Sequence, residues 1–532
     1  MTDITSSTIT PSGAVVSITA GSLAINTDLL RVLGFIGDGN SHPLSSVQPS
    51  YTLAQWQVIF PPNSTTGSAG ARALSDEIDG LAIQRVLDLG VAAGLGAVVQ
   101  LPVCNARSTY AFVTNGTLPV GIIGSGVAGA TVSFVGSNTD GWSHGQTTAG
   151  GTLSLQNVTF LADYTSGVAV RVASQVSPSL VMDHVHLTNF IGGCIVGKNI
   201  TGSRFYDVDM LNGNGVSGTP GSFDAVILTE SQGSFQNLWS DCQISGYNHA
   251  FSISETTNAG YEGQFWFRCQ INQCNHCLSV TSTESSSYSA PQFSFENCEW
   301  ECYNSWFNIT GISDFTVRDG FGLSLGGVGG FNYVNINAVQ VFRWENNDVI
   351  GFNSPSYFLY MKSVVGAKVR ENSFSYNGAG TVTGGIYIDS GVGSLVEEQN
   401  EFPIWPTSPA PPKIAGVTLG SICRTLSALA GGLYTEGGNL VFAGSTAGST
   451  DANGQIAISF PTRPDGSAFY SSVYTIIVSN GDSLNGPNDV VGVVIASTTM
   501  TNFKVQWSLA SSGAPIPSGQ PRRTNWIAYG GG

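Results

Sequence analysis

The chain has 532 residues, including 67 glycines and 22 prolines, and only 10% of them are charged, whereas about a quarter is usual for soluble domains. Its apolar residues, 42% of the total, suffice for a packed core and exclude a disordered chain. The formal charge of −16 argues against nucleic acid as a partner, because phosphate binding needs clustered Lys and Arg.

The N-terminal region shows no targeting or membrane signal. Residues 1–20 contain no Lys or Arg and no continuous apolar segment, so neither a secretory signal nor a transit peptide is indicated. The most apolar helical stretch, residues 86–101, is shorter than the roughly 20 residues of a membrane helix, and we expect no membrane insertion. The nine cysteines fit no compact disulfide framework, and synthesis in a cytoplasm would keep them reduced.

One helix is predicted, over residues 75–94. Ser75 is the expected N-cap, and Gly94 is expected to end the helix. Six apolar residues recur at helical spacing: Ile78, Leu81, Ala82, Val86, Leu89 and Ala93. Elsewhere, short runs of β-branched and aromatic residues alternate with Gly, Asn, Ser and Asp, which indicates many short strands and an all-β fold.

Internal repeats predict the architecture. Residues 239–253 align with residues 266–280, at an offset of 27, and these align with residues 295–309, at an offset of 29. Looser copies occupy residues 155–160, 182–187, 205–210, 344–349 and 369–374. Strand-sized repeats without helices between them predict a right-handed parallel β-helix, in which like residues stack from one turn, or rung, to the next.

Stacking predicts two inward columns. The first contains Val158, Val185, Val208, Cys242, Cys269 and Cys298, and the second contains Phe160, Leu187, Met210, Ile244, Ile271 and Trp300. The pairs Cys274/Cys277 and Cys298/Cys302 would also suit zinc by spacing. The repeat favours buried thiols instead, because free Cys in an inward column behaves as a small apolar residue. We predict no metal site and no cofactor.

The last part of the chain differs in composition. From about residue 403 the sequence becomes rich in proline, and it then passes through a Gly/Ser/Ala segment. Longer alternating strands follow from residue 455. This pattern predicts a C-terminal antiparallel β-sandwich.

Both ends of the sequence resemble a known family. Residues 34–46 (GFIGDGNSHPLSS), followed by the segments 51–62, 76–90 and 97–113, resemble the opening of the pectate-lyase-like β-helix proteins found as bacteriophage tailspikes. The closing segment, with TNWIAYG at residues 524–530, is similar to the C-terminal domain of phage tail fibres. The resemblance implies a homotrimer in the virion tail, made in the host cytoplasm and attached to a phage tail or baseplate protein.

The composition shifts and the resemblance together divide the chain into five parts. These are an N-terminal particle-binding segment (1–33), the start of the β-helix with its capping helix (34–115), the β-helix body (116–403), a linker or neck (404–454), and a sandwich for trimerisation or receptor binding (455–532). No catalytic motif of the family matches the central rungs, so the chemistry rests on their polar columns.

Two polar columns flank the cysteine column. The preceding one reads Asn157, His184, Asp207, Asp241, Arg268 and Asn297, and the following one reads Thr159, His186, Asp209, Gln243, Gln270 and Glu299. Carboxylates, amides and Arg suit the hydroxyls of a bacterial surface polysaccharide, either lipopolysaccharide or capsule. Six aromatic residues are available for stacking on sugar rings: Tyr247, Tyr261, Trp266, Tyr303, Trp306 and Trp344. Several of them must belong to the core instead, because Trp239 and Trp266 occupy repeat positions that point inward. The alternative is a solvated face whose polar side chains hydrogen-bond to one another.

Asp241 is the predicted shared member of a catalytic carboxyl pair. Asp207 lies one rung away, at about one strand spacing, and Glu299 lies two rungs away, at about 10 Å; glycosidases use carboxyl pairs about 5 Å or about 6.5 to 9.5 Å apart. Arg268 is predicted to orient the substrate. Four further residues of the columns are predicted to bind it: Asp209, His186, Gln243 and Gln270.

Three functional alternatives stay open at this point. Hydrolysis is favoured over β-elimination, because a lyase needs cations near a uronate carboxylate and the columns hold more carboxylates than Lys or Arg. A tail fibre that binds its receptor without cleaving it is the second alternative, and a polysaccharide lyase is the third. A site between subunits would also escape a comparison of repeats within one chain.

Overall fold

The computed structural model of the chain is a parallel β-helix with short helices at its N-terminal end and antiparallel strands at its C-terminal end. The structure describes residues 24–25, 27–136, 140–145, 151–163, 167–172, 179–213, 221–230, 236–255, 263–282, 292–326, 329–378, 380–389, 391–406, 411, 414–416, 422–425, 433–436, 439–460, 472–480, 489–494, 498–499, 502–509 and 512–531. The predicted all-β class and parallel β-helix are confirmed.

Helices cover the N-terminal end of the solenoid. They are Thr27–Val32, Leu44–Val47, Leu53–Ile59 and Ile78–Ala92. The last is the predicted helix, but its N-cap is Glu77 and not Ser75, and the three shorter helices were not predicted. Gly94, with φ +72°, follows its C-terminal end as expected. In the part of the chain that the structure describes, no helix is long and apolar enough to cross a membrane.

Acidic residues at the start of the long helix fasten the preceding loop. The Asp79 carboxylate accepts hydrogen bonds from the backbone N–H groups of Ile36 and Gly37, at 2.7 and 3.2 Å. The Glu77 carboxylate accepts one from the backbone N–H of His42, at 2.7 Å. These contacts explain why acidic side chains crowd the first turn, where the helix dipole also favours them.

Each rung adds one strand to each of three parallel sheets, in the order sheet 1, sheet 2, sheet 3. Sheet 1 contains Ala24–Ile25, Ala97–Gln100, Val120–Ile123, Asn237–Ser240, Gln264–Phe267, Gln292–Glu296, Asp314–Arg318, Ser394–Glu398 and Ile422–Thr425, with one part each of Thr152–Ala162, Ser179–Thr188, Arg204–Leu211, Val334–Glu345 and Tyr357–Arg370.

Sheets 2 and 3 share the long strands with sheet 1. Sheet 2 contains Cys104–Ser108, Ala130–Phe134, Gln243–Ser245, Gln270–Cys274, Glu299–Cys302, Phe321–Ser324, Asp348–Gly351 and Ser373–Tyr376, with the ends of the strands that begin at 152, 179 and 204. Sheet 3 contains Phe112–Thr114, Trp142–His144, Val170–Val172, Ile195–Lys198, Val226–Glu230, His249–Glu255, His276–Ser282, Phe307–Thr310, Gly384–Ile388 and Ile414–Gly416, with the first parts of the strands that begin at 334 and 357.

A single residue in the left-handed conformation connects sheet 1 to sheet 2 in each of ten described rungs. These residues form the bend column, with φ between 52° and 57°: Asn157, His184, Asp207, Asp241, Arg268, Asn297, Asp319, Asn346, Glu371 and Gln399. Asn, Asp and His are the non-glycine residues that adopt this conformation most readily. The bend column therefore turns the backbone, and it exposes one polar side chain per rung between two sheets.

The two predicted inward columns are confirmed. Leu187 pairs with Phe160 on one side and Met210 on the other, and Ile271 pairs with Trp300. Every member of both columns is 2% exposed or less. The core is therefore a stack of like positions along the solenoid axis, as the repeats require.

The cysteines of the core are buried and unpaired, as predicted for Cys242, Cys269 and Cys298. Cys274 is buried as well, and its burial raises the pKa of the thiol to about 12. Within the described ranges, no three His, Cys, Asp or Glu side chains come together as possible metal ligands. These thiols act as small apolar side chains.

Glycine at position 322 makes room for the Trp300 indole. A Cβ added to Gly322 would lie 2.7 Å from Cε2 of Trp300, which is fully buried. We expect Gly322→Ala to lower the free energy of unfolding by about 1–3 kcal/mol, because the core would be overpacked. Chemical denaturation checks this, with Gly366→Ala as control, since its nearest contact would be an ordinary 3.5 Å to Ser394 Oγ. Equal losses in both variants would contradict the packing argument.

Antiparallel strands follow the solenoid. Leu433–Glu436, Asn439–Ser449, Pro521–Gly531 and Ser472–Asn480 pair in one sheet, and Gln455–Ser459, Asn502–Leu509 and Asp489–Val494 pair in another. Phe503, Trp507 and Trp526 belong to the apolar core of this region. The parallel ladder itself continues past residue 403 to Thr425. The five predicted domain limits stay predictions.

Candidate functional site

The two polar columns occupy different positions of the backbone. The column that begins with Asn157 is the bend column, whereas the column that begins with Thr159 is the first outward position of sheet 2, which we call the sheet 2 column. In the sheet 2 column, His186 pairs with Asp209 and Asp209 with Gln243. Rungs that the repeats made adjacent are therefore adjacent in the structure.

Two histidines and two aspartates meet on adjacent rungs, and we call them the histidine–aspartate cluster: His184, His186, Asp207 and Asp209. In the bend column, His184 Nε2 lies 3.4 Å from Asp207 Oδ2. In the sheet 2 column, His186 Nε2 lies 3.1 Å from Asp209 Oδ2. The side chains are 23% to 50% exposed, so a ligand can reach all four.

Asp209 is the least exposed member of the cluster. Its side chain is 23% exposed, and this burial raises the pKa of its carboxyl. The negative charge of Asp207 raises the pKa further, whereas His186 opposes the shift. A carboxyl that keeps its proton above the usual range can act as a general acid.

Asp241 lies on the next rung of the bend column and is held by two donors. Its Oδ2 accepts a hydrogen bond from Arg268 Nη2 at 2.8 Å and one from Ser240 Oγ at 2.7 Å. Asp207 instead contacts His184, on its other side. Asp207 and Asp241, which the sequence analysis paired, therefore contact different neighbours. Asp207 contacts His184 on the preceding rung, and Asp241 contacts Arg268 on the following rung.

The remaining predicted residues extend the sheet 2 column. Gln243 pairs with Gln270, and Gln270 pairs with Glu299, so Glu299 is two rungs beyond Asp241, as predicted. Glu299 lines a separate open groove of about 540 Å³. The structure therefore gathers Asp207, Asp209, Asp241, Arg268 and His186 but leaves Glu299 outside this group.

The groove at Glu299 contains acidic residues that sequence reasoning missed. Asp319, Asp348 and Glu371 line it with Glu299. Asp319 and Glu371 belong to the bend column, and Asp348 belongs to the sheet 2 column. Extending both columns through the looser repeats at 344–349 and 369–374 would have found Asp348 and Glu371.

Most of the aromatic residues considered for stacking belong to the core, as the repeat predicts for Trp266. Tyr247, Trp266, Trp306 and Trp344 are at most 1% exposed. Trp266 and Trp344 occupy inward strand positions, whereas Tyr247 and Trp306 lie between strands. Tyr303 is partly buried, and Tyr261 lies outside the described residues.

Other aromatic side chains are exposed beside the cluster, on the outer face of sheet 1. Tyr206 is 47% exposed and Phe267 is 36% exposed. Each directly precedes a bend residue, Asp207 and Arg268 respectively. The Tyr206 ring centroid lies 5.4 Å from that of His184.

A row of basic residues lies further along sheet 1. Its members line an open groove of about 480 Å³: Arg318, Arg343, Lys368 and Arg370. Each contacts a carboxylate of Glu296, Asp314 or Glu345 at 2.7 to 3.3 Å. The row is thus largely neutralised by its own partners, and such exposed pairs contribute little to stability.

Comparison with solved structures identifies the fold. No protein-family model matches the sequence. No curated protein matches it either. The tailspike gp61 of Pseudomonas phage phi297 superposes with a TM-score of 0.50 at 13% identity, over 96% of this chain and 99% of that one. The tailspike gp49 of Pseudomonas phage LKA1 gives 0.44 at 13% identity over 94% and 99%. The A-module of the Azotobacter vinelandii mannuronan C-5 epimerase AlgE4 gives 0.42 at 12% over 75% and 99%. The chain has the parallel β-helix fold of phage tailspikes.

Proposed function

We propose that the chain is a phage tailspike that binds a bacterial surface polysaccharide and cleaves it by glycoside hydrolysis. The histidine–aspartate cluster carries this proposal, because its carboxyls, one of which has its pKa raised by burial, lie beside Arg268 and exposed aromatic rings. Such a surface suits sugar hydroxyls and apolar ring faces together. The tailspike that shares the fold at a TM-score of 0.50 supports a place in the virion tail.

Asp209 is the proposed general acid. Its burial and the neighbouring Asp207 charge favour the protonated carboxyl, which can donate its proton to the glycosidic oxygen as the C–O bond breaks. His186 contacts Asp209 at 3.1 Å and orients it. Asp207, which sequence reasoning placed in the reacting pair, acts instead through its charge on Asp209.

Asp241 is the proposed general base. Asp241 lies on the rung after that of Asp209 and is displaced from it by two residues along the strand direction. One strand spacing combined with this displacement separates the two Cα atoms by about 8 Å. Inverting glycosidases keep their carboxyls about 6.5 to 9.5 Å apart so that a water fits between them. Asp241 takes a proton from this water, which attacks the anomeric carbon, while Arg268 and Ser240 hold the carboxylate. Gln243 and Gln270 offer amides to neighbouring hydroxyls.

A polysaccharide lyase is the second candidate function, because the basic row on sheet 1 adds four cations to Arg268, which is the only Lys or Arg named in the two polar columns. Elimination creates a carbon–carbon double bond conjugated to a carboxylate, whereas hydrolysis does not. Capsule and lipopolysaccharide preparations from candidate hosts should therefore be incubated with the chain. A falling polymer size without new ultraviolet absorbance supports hydrolysis, and the same fall with new absorbance overturns it in favour of elimination. Binding without any fall identifies a receptor-binding fibre.

The proposed tailspike is a homotrimer, attached to a phage tail or baseplate protein through residues 1–33. We expect light scattering to give about three times the single-chain mass of 55.5 kDa, because exposed sides of the solenoid and the antiparallel C-terminal strands offer surfaces for two neighbours. Dilution should leave the mass unchanged. A mass near 55.5 kDa at every concentration would contradict the trimer.

A further inference from the structure

Three rungs of sheet 1 form a notch beside Asp241. On the outer face, Tyr206 pairs with Ser240, and Ser240 pairs with Phe267. An aromatic residue thus stands one rung before and one rung after a small residue in the same column. Two strand spacings separate the aromatic positions, which is roughly 10 Å.

The width of this notch fits one sugar ring. Carbon atoms in contact lie about 3.5–4.0 Å apart, so a ring sandwiched between two aromatic faces needs about 7–8 Å. Tyr206 and Phe267 are 47% and 36% exposed, although large aromatic side chains are mostly buried. Their exposure on either side of the Ser240 rung marks a surface suited to a partner.

Chemistry at the ends of the notch is asymmetric. On one side, Ser240 is followed by Asp241, whose carboxylate accepts a hydrogen bond from Ser240 Oγ at 2.7 Å. The Arg268 guanidinium lies over the Phe267 ring, 4.9 Å from its centroid. On the other side, two residues before Ser240 in the strand, Leu238 is 40% exposed. A ligand here meets Asp241 and Arg268 at one edge, and at the other edge it meets Leu238 with the exposed Arg204 paired beside it.

We propose that Tyr206 and Phe267 clamp one pyranose ring of the polysaccharide over Ser240, with a methyl-bearing substituent against Leu238. This substituent is either a 6-deoxy methyl or an acetyl group, since Leu238 offers no hydrogen bond. This inference rests on the proposed function, and it places the clamped sugar next to the scissile bond, which lies between Asp209 and Asp241. The notch adjoins the proposed catalytic groups directly, which favours the polysaccharide over a second copy of the chain as its occupant.

Binding to an immobilised polysaccharide tests the clamp. The probe is whichever lipopolysaccharide O-chain or capsule preparation the unmodified chain binds or shortens, and all variants carry Asp209→Asn so that the probe stays intact. We expect each of three substitutions to raise the Kd at least tenfold: Tyr206→Ala, Phe267→Ala and Ser240→Phe. The first two remove an aromatic contact with the sugar ring, and the third fills the notch. Phe352→Ala, which alters an aromatic residue that is 42% exposed elsewhere, should leave the Kd within twofold.

Two outcomes separate the clamp from the function on which it rests. If the chain that carries only Asp209→Asn binds the probe and the Tyr206 and Phe267 variants bind it equally well, the clamp is wrong and the proposed function stands. A change of mass in light scattering with unchanged affinity would also overturn the clamp and assign this patch to a subunit contact. If the unmodified chain neither binds nor shortens any of the preparations, both proposals are wrong. Saturation-transfer NMR should show its strongest signal at methyl protons of the bound polymer, and a strongest signal elsewhere contradicts the contact with Leu238.

Discussion

Replacing Asp209 by Asn is expected to slow polysaccharide cleavage by about 10²- to 10⁴-fold, the range that a positioned general acid contributes. The amide keeps the size and the hydrogen-bonding capacity of the side chain but cannot donate the proton to the leaving oxygen. The measurement is the initial rate of new reducing ends at fixed polymer concentration. Asp163→Asn, which alters an exposed aspartate elsewhere on the solenoid, should keep the full rate.

The raised pKa of Asp209 also fixes the sign of two pH effects. Cleavage should fall as the pH rises through the pKa of Asp209, because the acid form is then lost. The native chain holds this proton at pH values where the unfolded chain has released it, so the contribution to stability is present at low pH and is lost as the pH rises. The variant should therefore unfold at the same or a higher temperature at neutral pH. A large loss of Tm would indicate a structural role for Asp209 instead.

Asp241→Asn is expected to slow cleavage to a similar extent, about 10²- to 10⁴-fold, because the attacking water loses its base. Polymer affinity should change little, since Arg268 and Ser240 can still bond the amide oxygen. If the product retains its anomeric configuration in the unmodified chain, Asp241 is a nucleophile and the base assignment is wrong. Wild-type rates in a folded Asp241→Asn variant would remove the residue from the reaction altogether.

The sequence predicted the solenoid because its repeats fix which residues stack. Leu187, Met210 and Ile271 could be placed inward from the amino-acid pattern, since a period of two and a rung-to-rung alignment determine a strand's two faces. The helix boundary was less accurate. Ser75 has the chemistry of an N-cap, but the Asp79 and Glu77 contacts with the preceding loop fix where the helix starts.

The candidate site was only partly predictable, for two physical reasons. Asn and Asp recur in the bend column partly because they tolerate positive φ. An Asp at such a position can therefore be there for the backbone conformation alone, and its residue type does not by itself indicate a catalytic role. The repeat places Trp266 inward, but Tyr247 and Trp306 lie between strands, where alternation does not determine which side chains are buried. Asp319 was missed because Gly320 replaces the cysteine that marks the three preceding rungs, whereas Asp348 and Glu371 were missed because the columns were not extended through the looser repeats.

The direct test of hydrolysis by Asp209 and Asp241 is proton NMR of a host polysaccharide during digestion, with the wild-type chain, Asp209→Asn and Asp241→Asn in parallel. Inverting hydrolysis by this pair predicts that the wild-type chain releases hemiacetals whose anomeric configuration is opposite to that of the cleaved linkage, and that both variants are folded but nearly inactive. Equal release of hemiacetals by all three chains would show that the bond is broken elsewhere on the molecule.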